Sequence, residues 1–301
     1  MVSKYKDLIE KKEKFEIKVI DSIDQLKDIK EQYNNNNYIY RGVNNCTYKM
    51  YTSLQRRLTI DNKNFAQAKY EYEQKLFDCL LNPEILLINK VYEETETVQK
   101  LWFDLFLKCN SHIQHYHQLS PMLDFTTSFD IALYFAFDGA EQKNDYVSLF
   151  IIDSDKLTKK EDFMNDLNFS SNTISAQPKS YYKNAYRDVE SNLYYFDRIQ
   201  NILFNTQSEH TILKLSPELD HKRIKAQKGL FVLLNIAHVA EKITPFEDIY
   251  HKHTFEKIKC LHIKTAIMNE VITSVTNKGI TKESLSLDDK EEFNQCESYV
   301  E

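Results

Sequence analysis

The chain has 301 residues, which allows one large domain or two small ones. Hydrophobic residues make up 42% and aromatics 13%, ample for a core, while four Gly and five Pro argue against a linker-rich or repetitive chain. A formal net charge of -6 lacks the basic excess of a general nucleic-acid binder, although a local basic patch stays open.

Five cysteines (Cys46, Cys79, Cys109, Cys260 and Cys296) are scattered without CxxC or CxH spacing, and the odd count suits reduced thiols. There is no basic start followed by an apolar segment, and no apolar run of membrane-spanning length. A cytoplasmic protein with no membrane partner is expected.

In chain order, Met1 to Glu16 is charged and helical in tendency, and is expected to be an arm over 1–14. Phe15 to Ile20 alternates as a half-buried strand does. Asp21-Ser22 supplies N-cap chemistry for a helix with Ile23, Leu26 and Ile29 on one face, stopped by Asn34 to Asn37. Tyr38 to Gly42 predicts a short strand running into a Gly turn, and Thr52 to Leu58 a locally basic surface segment.

Residues 60–112 predict a helical insertion, broken at Asn82-Pro83. Asp130 to Phe137 predicts a buried helix, and Tyr146 to Ile152 a strand at the centre of a sheet. Residues 154–195 are polar and irregular, an insertion or lid with a Tyr cluster at 181–195. Strands are expected at Ile212–Leu215, in the segment after Arg223, and at Cys260–Ile263, then a helix over Ile267–Lys278 ended by Gly279. No linker divides the chain, so the expectation is one α+β domain over 15–290, followed by an acidic tail at 291–301.

The richest stretch is Ile113 to Phe137, IQHYHQLSPMLDFTTSFDIALYFAF, where polar groups lie between segments that must be buried. Asp124, Thr126, Thr127 and Ser128 stand at a strand end before a helix, where hydroxyls can bond a ribose or phosphate; plain capping by Ser128 or Asp130 is the competing reading. His115 and Tyr116 can line a pocket or pack in a core. The spacing of His112, His115 and His117 is not that of a metal pair on one helix face, and no metal is expected.

Arg41 ends an apolar strand beside Gly42, where five guanidinium donors can meet a phosphate, or simply reach solvent. Gly42 permits close backbone approach. Gln227 in AQKGLF can bond a sugar hydroxyl or its own turn. No GxGxxG, Walker loop or GxSxG is present.

The segments YRG at Tyr40–Gly42, QHY…LDFTTSFDIALYFA at Gln114–Ala136, RIKAQKGLF at Arg223–Phe231 and GITKESL at Gly279–Leu285 together resemble the FRG domain family, in order, over about 20–290. Departures are His117 for the family's Gly, Leu119 for its Pro, and Pro121 for its Arg before the Leu-Asp pair. Arg56, Arg57 or Lys49 would then supply the missing charge.

The order of motifs is similar to that of the ADP-ribosyltransferase fold, with a split, mostly antiparallel sheet and a cleft between two sheets. That resemblance implies a site with Arg41, Thr126 and Gln227 as catalytic residues, Gln227 standing where the family has Glu. Tyr40, Gly42, His115, Asp124, Thr127 and Ser128 would line it. NAD would be the substrate, and Asp124 or Glu190 the source of negative charge. The function implied is ADP-ribosyl transfer to an unidentified protein or nucleic-acid acceptor, or NAD hydrolysis, in a toxin or anti-phage effector. The alternative is a nucleotide- or ADP-ribose-binding module without chemistry.

Overall fold

The computed structural model describes residues 4–60, 65–81, 106–117, 119–141, 144–159, 212–215, 222–234 and 244–285. Glu190, the Tyr cluster at 181–195, the acidic tail and the middle of the helical insertion lie outside these residues. The described chain is α+β. Its strands are β1 (Phe15–Ile20), β2 (Tyr38–Val43), β3 (Met122–Thr126), β4 (Tyr146–Asp153), β5 (Ile212–Leu215), β6 (Gly229–Leu234) and β7 (Ile258–Lys264). They form one sheet in the order β1-β7-β4-β2-β3-β6-β5. Only the β1–β7 pairing is parallel.

Among the described strands the pairing is continuous except at one seam. β4 pairs with β2 along six residues, and β3 with β6 along five. Between β2 and β3 the register holds a single pair, Tyr40 opposite Thr126. A continued ladder would set Arg41 opposite Phe125 and Gly42 opposite Asp124; instead the strands fork. The expected cleft between two sheets is therefore corrected: the described strands make one mixed sheet, forked at β2/β3.

Helices cover both faces. α2 (Ile23–Tyr33), α5 (Phe129–Phe137) and α8 (Met268–Thr276) bury Leu26, Ile29, Phe129, Leu133, Val271 and Val275 against Val147, Leu149, Ile151, Leu261 and Ile263. On the opposite face, α7 (Phe246–Thr254) packs Phe246, Ile249 and Tyr250 against Phe150, Ile152, Leu230, Val232 and Cys260. Because β4 is covered on both sides, its residues Val147–Ile152 are all buried, which explains its unbroken apolar run.

Local chemistry accounts for the ends of these helices. Ser22 caps α2 through Gln25 N, and Ser128 caps α5 through Ile131 N. Past α8, Gly279 takes φ +77° and Ile280 N donates to Val275 O, a Gly-terminated C-cap.

Two segments differ from expectation. Thr52 to Leu58, expected as a basic surface segment, lies mostly in helix α3 (Ser53–Ile60), whose first turn buries Ser53, Leu54 and Gln55; α4 (Phe65–Leu81) follows it. The N-terminal segment is no free arm. It holds α1 (Leu8–Lys14), capped by Asp7, and docks on the sheet through Tyr5 and Lys11. The Lys11 ammonium, 1% exposed, reaches Cys46 O at 2.6 Å, Ser148 Oγ at 3.0 Å and His262 Nε2 at 3.0 Å. Three donors meet three acceptors, which is how a buried ammonium is tolerated.

α7 was not anticipated at all. It places Glu247, fully buried, where the Tyr5 hydroxyl donates to Oε1 and Met50 N donates to Oε2 at 3.1 Å.

Candidate anion site at the sheet fork

The fork opens directly beside Arg41. Its Nη1 donates to the carbonyl of Asp124 at 2.5 Å, bridging strands that no longer pair. The residue is half-buried, yet its Nε is enclosed and finds no hydrogen-bond partner among the described residues. Burial pushes the guanidinium below its usual range, and the nearby Arg56 adds to that, while Asp124 opposes it. An enclosed cationic group with an unspent donor is costly unless an anion completes it.

Asp124 is exposed, and its Oδ2 accepts from Gln114 Nε2 at 2.9 Å. Gln114 Oε1 in turn accepts from Ser53 Oγ at 3.1 Å. Ser53 Oγ also joins Ser120: its one hydroxyl hydrogen is shared between Gln114 and the Ser120 carbonyl, and it accepts from the Ser120 amide. One hydrogen-bonded chain thus runs from α3 through the turn at Ile113–His117 to β3 and Arg41. Gln114 and Ser53 were not singled out from the sequence; Gln114 lay in plain view in the QHY segment.

The remaining expected residues divide sharply. Tyr40 is fully buried on the opposite face, edge-on to Phe129 at 5.4 Å between ring centroids, with its hydroxyl donating to Tyr33 O. It packs in the core. Gly42 does permit a close approach, but by helix α5: a Cβ there would lie 2.0 Å from Ala132 O and 2.5 Å from Ala136 N. The YRG glycine and the two alanines of ALYFA are thus one packing unit.

Thr126 Oγ donates to Gln227 O at 2.8 Å and accepts from Ser128 N at 3.0 Å. Thr127 is exposed and its amide donates to Lys228 O at 3.0 Å. Ser128 is the α5 cap. The Gln227 side chain donates to Leu285 O at 3.2 Å, tying the GITKESL segment to the start of β6. The side chain of His115 lies outside the described residues.

The turn after helix α6 (Lys222–Ala226) holds Lys228 at φ +44°, a strained conformation for a residue with a Cβ. Its carbonyl and that of Gln227 receive the two threonines, so the strain sits at the end of β3 where it meets the start of β6. Among the described residues no group of three or more His, Cys, Asp or Glu is placed to hold a metal ion. No helix among them is long and apolar enough to cross a membrane.

Of the three candidates for the charge that Pro121 does not supply, Lys49 is committed elsewhere, to Glu10 at 2.8 Å and over the Tyr5 ring. Arg57 is exposed on α3. Arg56 is half-buried, donates through Nη1 to Tyr51 O at 3.3 Å, and lies within electrostatic reach of Arg41 and Asp124.

Searches of curated proteins and of solved structures return no match. A family comparison does. The matched region contains YRG and the whole of Gln114–Ala136, which supply Arg41, Gln114 and Asp124 to the fork, and stops before RIKAQKGLF and GITKESL. Residues 36–145 match the model of the FRG domain family.

Proposed function

We propose that the fork binds a phosphate-bearing nucleotide of the NAD or ADP-ribose class, with Arg41 as its anchor. The observation that carries this is the enclosed Nε of Arg41, without a partner among the described residues, beside Arg56 where the described strands β2 and β3 part. A guanidinium with spare donors in a partly dehydrated setting is the chemistry that selects a phosphate.

Transfer of ADP-ribose to a macromolecular acceptor, or hydrolysis of NAD, is the activity this reading favours. Cleavage of the bond from nicotinamide to ribose passes through a cationic, oxocarbenium-like centre, which an adjacent carboxylate stabilises. Asp124 is the carboxylate at the fork, exposed and oriented by Gln114. Gln227 is neutral and its amide is turned to Leu285 O, so its part is to brace β6 and not to supply charge. A cytoplasmic effector acting on cellular NAD is the setting that fits this chemistry.

The test is incubation of the full chain with NAD labelled in the adenylate and in the nicotinamide. Nicotinamide release or label transfer, lost in Arg41→Ala and in Asp124→Asn, supports the enzyme. Binding of NAD without turnover selects the binding module. Absence of both binding and turnover sinks the nucleotide reading.

A further inference from the structure

We propose that Arg56 is a second anion contact of the fork, and that the site is therefore built for two linked phosphates. This rests on the nucleotide reading above and names the part of the ligand the site selects. Arg56 comes from α3, one helical turn beyond Ser53 and so on the same helix face. Ser53 Oγ donates to Gln114, whose amide holds the Asp124 carboxylate, whose backbone carbonyl holds Arg41. Three short links thus bring the helix bearing Arg56 to the strand bearing Arg41.

α3 is held firmly. Leu54 N donates to Ser120 O at 3.1 Å, Met50 O accepts from Phe246 N at 2.8 Å, and Gln55 Nε2 donates to Thr244 O at 2.7 Å. Arg56 is thus presented from a fixed stretch of backbone, and its Nη1 donates to Tyr51 O at 3.3 Å, which lowers the ordering cost of binding.

The charge count points the same way. Arg41 and Arg56 repel each other, both are partly dehydrated, and among the described residues Asp124 is the carboxylate that opposes them. These three described groups carry one net positive charge. A lone phosphate on Arg41 would sit close to Asp124 and be repelled by it. A second phosphate on Arg56 spreads the negative charge onto the other cation. Both guanidiniums stay protonated across the physiological range, so this preference does not titrate away.

The experiment compares ADP-ribose with AMP as ligands of the full chain, using Arg56→Gln, because Gln keeps a donor for Tyr51 O. Arg56→Gln is expected to weaken ADP-ribose about tenfold or more, the scale of one charge-assisted contact, and AMP by no more than about twofold. The exposed neighbour serves as control: Arg57→Gln changes either affinity by no more than about twofold. Equal losses for ADP-ribose and AMP, or the same loss from Arg57→Gln, overturn the proposal. So does an unchanged ADP-ribose affinity in Arg56→Gln while Arg41→Ala still abolishes binding; that outcome leaves the nucleotide reading standing.

Failure of the wild-type chain to bind ADP-ribose or AMP removes the nucleotide reading and this proposal together. A measurement on the wild type alone guards against misfolding of the variant. Inorganic pyrophosphate should displace ADP-ribose at about tenfold lower concentration than inorganic phosphate; equal potency overturns the proposal.

Discussion

Gly42 and Arg41 are neighbours with unrelated duties, because a strand sends successive residues to opposite faces. The glycine lies under α5, with no space for a Cβ against Ala132 O or Ala136 N. Gly42→Ala must push helix and strand apart, at an expected cost of about 3 kcal/mol or more. Gly279→Ala is the comparison: a Cβ there meets nothing within 4 Å, but φ is +77°, so the expected cost is about 1 kcal/mol, from backbone conformation alone. Urea unfolding of both variants measures the difference; equal costs would mean that α5 and β2 yield easily.

Gln227 gives a second test on the same scale. Its amide donates to Leu285 O, which a carboxylate cannot do. Gln227→Glu is expected to lose about 1–3 kcal/mol of stability and to gain no turnover of NAD. A gain in turnover would show that the side chain can leave Leu285 and face the ligand.

Helix α7 brings a buried carboxylate to the N-terminal segment. Burial raises the Glu247 pKa from 4.5 to about 7, against the bonds from Tyr5 and Met50 N that favour the carboxylate. A raised acid contributes stability that is present below its unfolded value and is lost as pH rises through the folded value. Between about pH 4.5 and pH 8 the wild type is therefore expected to lose on the order of 3 kcal/mol relative to Glu247→Gln.

His262 pulls the other way: burial, then Lys11 and Lys12, lower its pKa from 6.5 to about 3. Its contribution is present above 6.5 and declines as pH falls toward 3. The two groups oppose each other across their shared window. Unfolding curves of wild type and Glu247→Gln at pH 5 and pH 8 separate them; a gap that does not change with pH would show that Glu247 stays ionised in the fold.

On the scale of the whole molecule, the described chain is one forked sheet with helices on both faces, and the N-terminal segment closes one of them. Deleting residues 1–14 would strip Tyr5 from Glu247 and Lys11 from Ser148 and His262, leaving three buried polar groups without these partners. The expected loss is about 3 kcal/mol or more. An unchanged urea midpoint in the shortened chain would restore the reading of this segment as an arm.

Local rules made much of this fold legible in the sequence. The alternation of Phe15–Ile20, the Asp21-Ser22 cap, the apolar run at Tyr146–Ile152 and the Gly279 stop each depend on contacts within a few residues, and each stands where expected. Arg41, Asp124 and the Thr126–Ser128 strand end were also visible as chemistry at element ends. Their uses were not. Thr126, Ser128 and Gln227 each have the bonding capacity of a ligand contact, and each directs its described hydrogen bonds to the backbone of this chain. Tyr40 has a polar tip that the core satisfies with Tyr33 O. A side chain's chemistry can be read from its type, but its partner depends on which residues lie across the sheet.

The sequence by itself determined the strands and helices it marked by period and cap, the α+β class, and the short motifs that meet at the fork. The tertiary structure alone decided that those motifs meet, that β2 and β3 part after one pair, and that Arg56, not Lys49, stands with Arg41. It alone placed Lys11 and Glu247 in the interior. The reason is physical: period and capping act over one or two turns of chain, whereas strand order, burial of charge and the meeting of distant side chains are set by packing between segments up to 251 residues apart.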